Sequence, residues 1–146
     1  MTLTVLNGPV IEAGESLSEG LDCRGGQLVR ITMPQEWGDD APLTFEFSTD
    51  GQFYNDMFDL KGFAVTIEKV VPGSGVIIPA DVGRAIAFIK FRSGTRGNPV
   101  VQNEQRYFAV TLVTDDVVDA PARSASKRKK TPTKKSAVKK KKKTGR

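Results

Sequence analysis

The stretch LTFEFSTDGQFYNDMFD, residues 43–59, restricts the fold more than any other part of the chain. In its first half apolar and polar residues alternate, which is the period-two pattern of a β-strand that is buried on one face. Leu43, Phe45 and Phe47 fall on the core side of that strand. An Asp-Gly pair then supplies the positive φ angle that a tight hairpin turn needs. The sequence therefore predicts a β-hairpin over 43–59 at the centre of an antiparallel domain.

Short apolar runs separated by glycine, proline and aspartate continue on both sides of this hairpin, and helical periodicity is nearly absent. Besides the two arms of the hairpin, the predicted strands are 3–6, 10–13, 27–33, 63–67, 76–78, 84–92 and 106–114. Runs of this length and spacing are typical of all-β folds. The expected fold is an antiparallel β-sandwich or jelly roll of about eight strands.

Some of these segments carry a further expectation. The hairpin and the strand at 63–67 together predict a three-strand meander over 43–69. The strand at 84–92 is apolar on one face and half apolar on the other, which indicates a central position in a sheet. The turn residues 7–9, Asn-Gly-Pro, separate the first two predicted strands. Trp37 is expected to pack over an end of the sandwich.

Charge is divided unevenly along the chain. Residues 1–119 hold all 17 acidic residues and 9 basic ones, so this part has a net charge of −8. Residues 120–146 hold the other 13 basic residues and no acid, which brings the whole chain to +5. The basic balance of the chain therefore belongs to its C-terminal tail, and the rest is acidic. We expect a β-sandwich domain at 1–116, followed by a lysine-rich linker and basic tail at 117–146.

The tail consists almost entirely of Lys, Arg, Ser, Thr, Pro and Ala, so it cannot bury enough apolar area to order itself, and it is predicted to be disordered when free. A polycation of this kind binds polyanions through counterion release, without reading sequence. Three alternatives stay open for the partner of the tail. They are nucleic acid, an acidic protein surface, including the acidic residues 1–119 (the body) of neighbouring copies, or no specific partner. The candidate polyanion- or partner-binding residues are Lys127, Arg128, Lys129, Lys130, Lys134, Lys135, Lys139, Lys140, Lys141, Lys142, Lys143 and Arg146.

The chain contains no histidine, which excludes histidine acid/base catalysis, Ser-His and Cys-His pairs and histidine metal sites. Cys23 is the only cysteine and is interpreted as a small buried apolar residue rather than a reactive thiol. Asp50, Asp56 and Asp59 are close in sequence, but we interpret them as turn and surface residues rather than a catalytic or calcium site. The expectation is a protein without enzymatic activity, cofactor or metal.

Four arginines, Arg84, Arg92, Arg96 and Arg106, surround the last long loop. We interpret them as the polar face and rim of strands rather than as an anion or glycan site. The N-terminus has no basic region ahead of an apolar core, and no apolar run approaches the roughly 18 residues of a spanning helix. We therefore expect a protein that is made in a cytoplasm and does not enter a membrane.

Two stretches resemble small β-sandwich proteins of tailed bacteriophages and prophages, especially those of alphaproteobacterial hosts. The hairpin with its continuation, LTFEFSTDGQFYNDMFDLKG, is similar to their S-x-D-G turn followed by an aromatic, a polar stretch, an Asp and a second turn glycine. The segment FIKFRSGTRGNPVVQ resembles their R-S-G-T loop followed by Pro-Val and Gln, which here are Arg92, Ser93, Gly94, Thr95, Pro99, Val100 and Gln102. With RITMPQEW at 30–37, the resemblance covers roughly residues 10–114 and leaves out the lysine tail.

The resemblance implies a virion structural component without enzymatic activity. The expected function is a capsid decoration or cement protein, present in many copies on a phage head that is assembled in the cytoplasm of the host bacterium. Its expected partners are the major capsid protein or other virion proteins, and copies of itself in a homo-oligomer. The alternatives are a neck or tail accessory protein, a nucleic-acid-binding protein that uses the basic tail, and, ranked last, a glycan-binding module that uses Trp37 and Tyr54.

Overall fold

A computed structural model describes residues 1–115, and within it Leu3–Thr114 form one compact unit. This unit is built from strands that alternate with turns and contains one short helix. The elements are β1 Thr2–Ile11, β2 Leu21–Asp22, β3 Gln27–Thr32, β4 Leu43–Ser48, β5 Asn55–Asp56, β6 Gly75–Ile77, α1 Ala80–Gly83, β7 Phe88–Ser93 and β8 Arg106–Thr114. No helix among residues 1–115 has the length and apolarity to cross a bilayer.

The strands form two four-stranded antiparallel sheets, which confirms the predicted all-β sandwich of about eight strands. The first sheet has the order β1-β8-β3-β6, and the second has the order β2-β7-β4-β5. In the second sheet β7 lies between β2 and β4, as its pattern of apolar residues predicted. The strands predicted at 27–33, 76–78 and 106–114 correspond to β3, β6 and β8.

Aromatic rings join the two sheets through the core. Phe45 of β4 packs edge to face against Phe91 of β7 at 5.2 Å, and Phe91 packs in the same way against Phe108 of β8 at 4.8 Å. Trp37 extends this row, 5.8 Å from Phe108, and its indole Nε1–H donates to the Ala41 carbonyl over 2.8 Å. Pairs with this geometry contribute about 0.5–1.5 kcal/mol each beyond the burial of their area. The row therefore holds the two sheets face to face.

The predicted hairpin is present, but its second arm is shorter than expected. β5 contains only Asn55–Asp56, and a wide loop separates it from β4. The Asp50 carboxylate accepts hydrogen bonds from the backbone N–H groups of Gln52 and Phe53, at 2.8 and 3.0 Å. These bonds extend the turn beyond Gly51, so the second arm of the hairpin begins to pair with β4 later in the sequence than the pattern predicted.

The predicted third strand of the meander, 63–67, was wrong. The segment meets its neighbours at two isolated bridges, Phe58 with Ala64 and Leu43 with Ile67. Phe63 was expected on the core side, yet it is exposed, whereas Ile67 packs against the core. The Asp59 carboxylate accepts from the N–H of Phe63 over 3.0 Å and holds that residue in a turn.

Two other boundaries differ from the prediction. The strands predicted at 3–6 and 10–13 form one continuous strand, β1, that runs through Pro9. β1 lies at the edge of its sheet, where a residue without an N–H is tolerated. The strand predicted at 84–92 begins only at Phe88, because the turn of α1 continues through a hydrogen bond from the Arg84 N–H to the Ala80 carbonyl over 3.0 Å.

Candidate functional site

A groove of about 500 Å³ lies on the second sheet and contains most of the charged groups of that sheet. Its central residue belongs to β7, where Arg92 alternates with the core residue Phe91 and therefore points to the opposite face. We call it the Arg92 groove; it is lined by Ser16, Leu17, Glu46, Tyr54, Asn55, Asp56, Arg92, Arg96 and Pro99.

The charged groups of the groove form a row across three adjacent strands. The Arg92 guanidinium of β7 donates to the Glu46 carboxylate of β4 over 2.5 Å and to Asp56 Oδ1 of β5 over 2.9 Å. The other oxygen of Asp56, Oδ2, accepts from Arg96 over 2.5 Å. Two arginines therefore face two carboxylates, and the row carries no net charge.

Burial differs sharply along this row. The Arg92 side chain is 8% exposed and the Asp56 side chain 10%, whereas Arg96 is 78% exposed. The strand register explains the difference, because Arg92 lies opposite Thr44 of β4 and an isolated bridge to Leu17 covers its other side. The inner ion pair is therefore largely removed from water, and the outer one is not.

The environment of Asp56 fixes its charge. Burial acts to raise its pKa, but hydrogen bonds from Arg92 and Arg96 and their positive charges outweigh burial, so the pKa of Asp56 lies below its ordinary value. A general acid at neutral pH requires a carboxyl whose pKa is raised. Because both oxygens of Asp56 are occupied by guanidinium groups, the row is suited to joining strands rather than to transferring protons.

Stability is therefore expected to depend on the charge of Asp56. A carboxyl whose pKa is lower in the folded state stabilises the fold above its unfolded pKa, and this contribution is lost as the pH falls through its folded pKa. At about pH 7, Asp56→Asn is expected to lower the free energy of unfolding by about 2 kcal/mol. Below its ordinary pKa of 3.8 the difference from the wild type should shrink toward zero. Denaturant unfolding followed from about pH 7 to about pH 2 measures this; a constant difference would contradict the role of Asp56.

A second buried polar centre surrounds Gln102, whose side chain is fully buried. Its Oε1 accepts from the Gly38 N–H over 3.0 Å and from Arg106 Nε over 2.8 Å. Its Nε2 donates to Ser93 Oγ over 2.8 Å, and its backbone carbonyl accepts from the Gly14 N–H over 2.8 Å. This arrangement, which we call the Gln102 cluster, joins four separate segments of the chain at one point.

The four arginines expected around the last long loop do not form one site. Arg92 and Arg96 belong to the Arg92 groove, and Arg106 belongs to the Gln102 cluster, where it also approaches Glu36 at 3.9 Å. Arg84 follows α1 and caps its last turn. Three of these arginines therefore have carboxylate partners within the described part of the chain.

The aspartates and the cysteine have defined places as well. Asp50 and Asp59 are turn residues, as expected, and both accept backbone N–H groups in their own loops. The interpretation of Asp56 as a turn or surface residue was wrong, because it lies in β5 and pairs with two arginines. Cys23 is fully buried, as expected; burial, followed by the charge of Asp22, raises the pKa of its thiol to about 11.

Trp37 and Tyr54 contact different parts of the protein and do not share a surface. Trp37 packs into the core against Phe108, whereas the Tyr54 ring lies on the second sheet beneath the Lys90 ammonium, 4.3 Å from its centroid. Among residues 1–115, no group of three or more His, Cys, Asp or Glu side chains is arranged to hold a metal ion. The predicted polyanion-binding residues, from Lys127 to Arg146, lie outside the described residues.

Sequence reasoning did not identify Glu46 or the role of Gln102 as a hub. Glu46 could have been found from its position, because it lies on the polar side of a predicted strand, as Arg92 lies on the polar side of another. The only sequence signal that pointed to Gln102 was its place in the R-S-G-T segment. In the structure this segment supplies residues to both centres, with Arg92 in one and Ser93 and Gln102 in the other.

No family model, no curated protein and no solved structure matches this chain. The function must therefore be argued from the residues themselves.

Proposed function

We propose that this chain is a non-enzymatic structural protein of a phage particle, and that it decorates or cements the capsid. The β-sandwich is the body presented on the particle, and the basic tail fastens it to an acidic surface. The protein is then present in many copies and uses the particle's symmetry to multiply weak contacts.

One observation carries this proposal: the stretches that resemble phage sandwich proteins meet in space. Arg92, from the R-S-G-T stretch, binds Glu46 and Asp56, which both belong to the hairpin stretch. Gln102, the last residue of the R-S-G-T stretch, binds Gly38, which directly follows the stretch at 30–37. Segments that are separate in sequence thus form two joined polar centres. The segments that carry the resemblance are therefore in contact with one another in the fold.

The chemistry of these centres also favours a structural role. Their charged and polar side chains bind one another, and the row in the Arg92 groove is neutral. Binding to other molecules is then carried out by the outer surface of the acidic body and by the tail, which has 13 basic residues. A tail of this charge is attracted to an acidic protein lattice.

The location is tested by probing purified particles with an antibody against the body. We expect the protein in the particles, at a copy number comparable to that of the major capsid protein. A few copies per particle would instead place it at the neck or tail. Absence of the protein from the particles would contradict the proposal.

The role of the tail is tested with a variant that ends at Ala120 and a length-matched variant in which Lys139–Lys143 are replaced by glutamine. On capsids without DNA, we expect the full chain to bind, the glutamine variant to bind more weakly and the truncated variant to lose binding. Binding of the full chain should fall as salt increases from about 0.05 to about 0.5 M, because salt screens the attraction.

The nucleic-acid alternative gives a different result in the same experiment. If the tail acts on DNA, the log of the affinity for duplex DNA falls with log salt, with a slope of about −0.9 for each phosphate that is neutralised. Truncation would then remove DNA binding and leave capsid binding unchanged. Equal binding of capsids by the full and truncated chains would show that the tail does not fasten the protein to the capsid.

A further inference from the structure

β1 is the edge strand of the first sheet, and no strand within residues 1–115 pairs with its outer side. Natural proteins protect such an edge with charged side chains, proline, bulges or short length, because unpaired N–H and C=O groups invite another strand. Residues 3–7, Leu-Thr-Val-Leu-Asn, carry none of these side chains, and the first charged side chain of the protein is Glu12. Within residues 1–115 this stretch is an open edge, whereas Pro9 and a hydrogen bond from the Val10 N–H to Glu19 Oε1, at 3.3 Å, protect the far end of β1.

The other sheet edges differ from β1 in length. β6 at the far side of the first sheet has 3 residues, and β2 and β5 at the sides of the second sheet have 2 each. Short strands offer too few backbone groups to template a partner. β1 has 10 residues, and its open stretch at 3–7 is longer than each of these strands, so it alone among these four edges can form an extended ladder.

The side chains along β1 also favour association. Leu3 and Val5 are 60% and 62% exposed, whereas Leu6, on the other face, packs against the core. Tyr107 of β8 is exposed on the same outer face, since it alternates with the core residue Phe108. The outer face of the first sheet therefore presents apolar side chains next to the open edge.

The distribution of charge over the body leaves the β1 edge accessible to a second copy of the chain. The body has a net charge of −8, so two bodies repel each other over most of their surfaces. Residues 1–11 have no charged side chain, and the Glu19 carboxylate meets this edge at Val10, so residues 3–7 are where a second copy can approach without opposing like charges. An antiparallel edge strand is also complementary to its own copy, because a two-fold axis turns it into its own partner.

We propose that β1 is a self-association edge, along which two copies of the chain pair their β1 strands antiparallel around a two-fold axis. The two first sheets then become one continuous eight-stranded sheet. With the two-fold axis near Thr4, Leu3 of each copy lies opposite Val5 of the other, with strands about 4.8 Å apart. Pairing through β1 is a property of the protein in solution and does not depend on the virion proposal.

The test is sedimentation of the purified full chain at concentrations up to about 100 µM. NaCl at about 0.5 M screens attraction between tail and body. We expect a dimer. Val5→Lys should raise its dissociation constant at least about tenfold, because the two-fold axis brings the two introduced charges close together. Ile77→Lys is the matched control: it adds the same charge to the opposite edge of the same sheet, at a residue that is 83% exposed, and should leave the dimer unchanged.

A second measurement does not depend on the effect of a lysine. A chain that carries both Leu3→Cys and Val5→Cys should form a disulfide between copies under mild oxidation, and Ile77→Cys should not, while Cys23 stays inaccessible in the core. The circular dichroism of each variant should match the wild type, because these side chains are exposed. A monomer throughout, a dimer that Val5→Lys and Ile77→Lys affect equally, or cross-linking that does not favour residues 3 and 5 would each overturn the proposal.

Discussion

Replacing Arg92 with methionine is expected to lower the free energy of unfolding by about 3–5 kcal/mol, the cost of breaking a buried ion pair by removing one partner. The change leaves Glu46 and Asp56 side by side without the guanidinium that binds both. It also removes the side chain that joins β7 to β4 and β5 in one row. Urea or guanidinium unfolding of the variant and the wild type measures the difference.

Arg96→Met is the matched control, because Arg96 binds the same Asp56 carboxylate but is 78% exposed. Exposed ion pairs contribute up to about 1 kcal/mol, so this variant should unfold close to the wild type. Adding Glu46→Gln and Asp56→Asn to Arg92→Met should restore part of the lost stability, because the two carboxylates that lost the Arg92 guanidinium are then gone. Equal effects of Arg92→Met and Arg96→Met would show that burial of the pair does not matter.

Replacing Gln102 with leucine is expected to lower the free energy of unfolding by about 3 kcal/mol or more, because several polar groups lose their partner at once. The Gly38 N–H and the Arg106 Nε–H lose their acceptor, and Ser93 loses a hydrogen bond as well. Leucine is similar in size, so the loss reports unpaired polar groups rather than a cavity. Denaturant unfolding measures the overall effect.

Hydrogen exchange distinguishes this mechanism from general destabilisation. We expect the Gly38 N–H to lose protection first, since Gln102 Oε1 is its acceptor. Gln105→Leu is the control: that side chain is exposed and binds Glu12 and Tyr107 at the surface, so the change should have little effect on stability. A Gln102→Leu variant as stable as this control would show that the Gln102 cluster does not hold its segments together.

The sequence predicted the strands well where alternation alone decides them. β8 has the predicted bounds, 106–114, because Phe108, Val110 and Leu112 alternate with residues that face outward. Alternation failed where side chains compete for backbone N–H groups. Asp50 lengthened the hairpin loop, and Asp59 held Phe63 in a turn; both effects depend on three-dimensional geometry that a period-two pattern does not contain.

The two polar centres were harder to predict for another reason. Asp56 and Arg92 are 36 residues apart, and Gly38 and Gln102 are 64 apart, so only the strand order brings them together. The sequence singled out Arg92 and Gln102 through a resemblance in their segment. It did not reveal their partners, because many polar residues on strand faces are equally available before the register is known.

The burial of Cys23 gives the protein an internal reporter of opening. Its thiol has no exposed surface, its pKa lies near 11, and its backbone N–H donates to the Ala87 carbonyl beside the β2–β7 pair. A thiol reagent needs both access and a thiolate, and the closed fold provides neither. Because the wild-type chain has a single cysteine, the rate at which a thiol reagent labels Cys23 reports how often these strands separate. Local opening of the second sheet can therefore be followed in the wild-type chain without adding a probe.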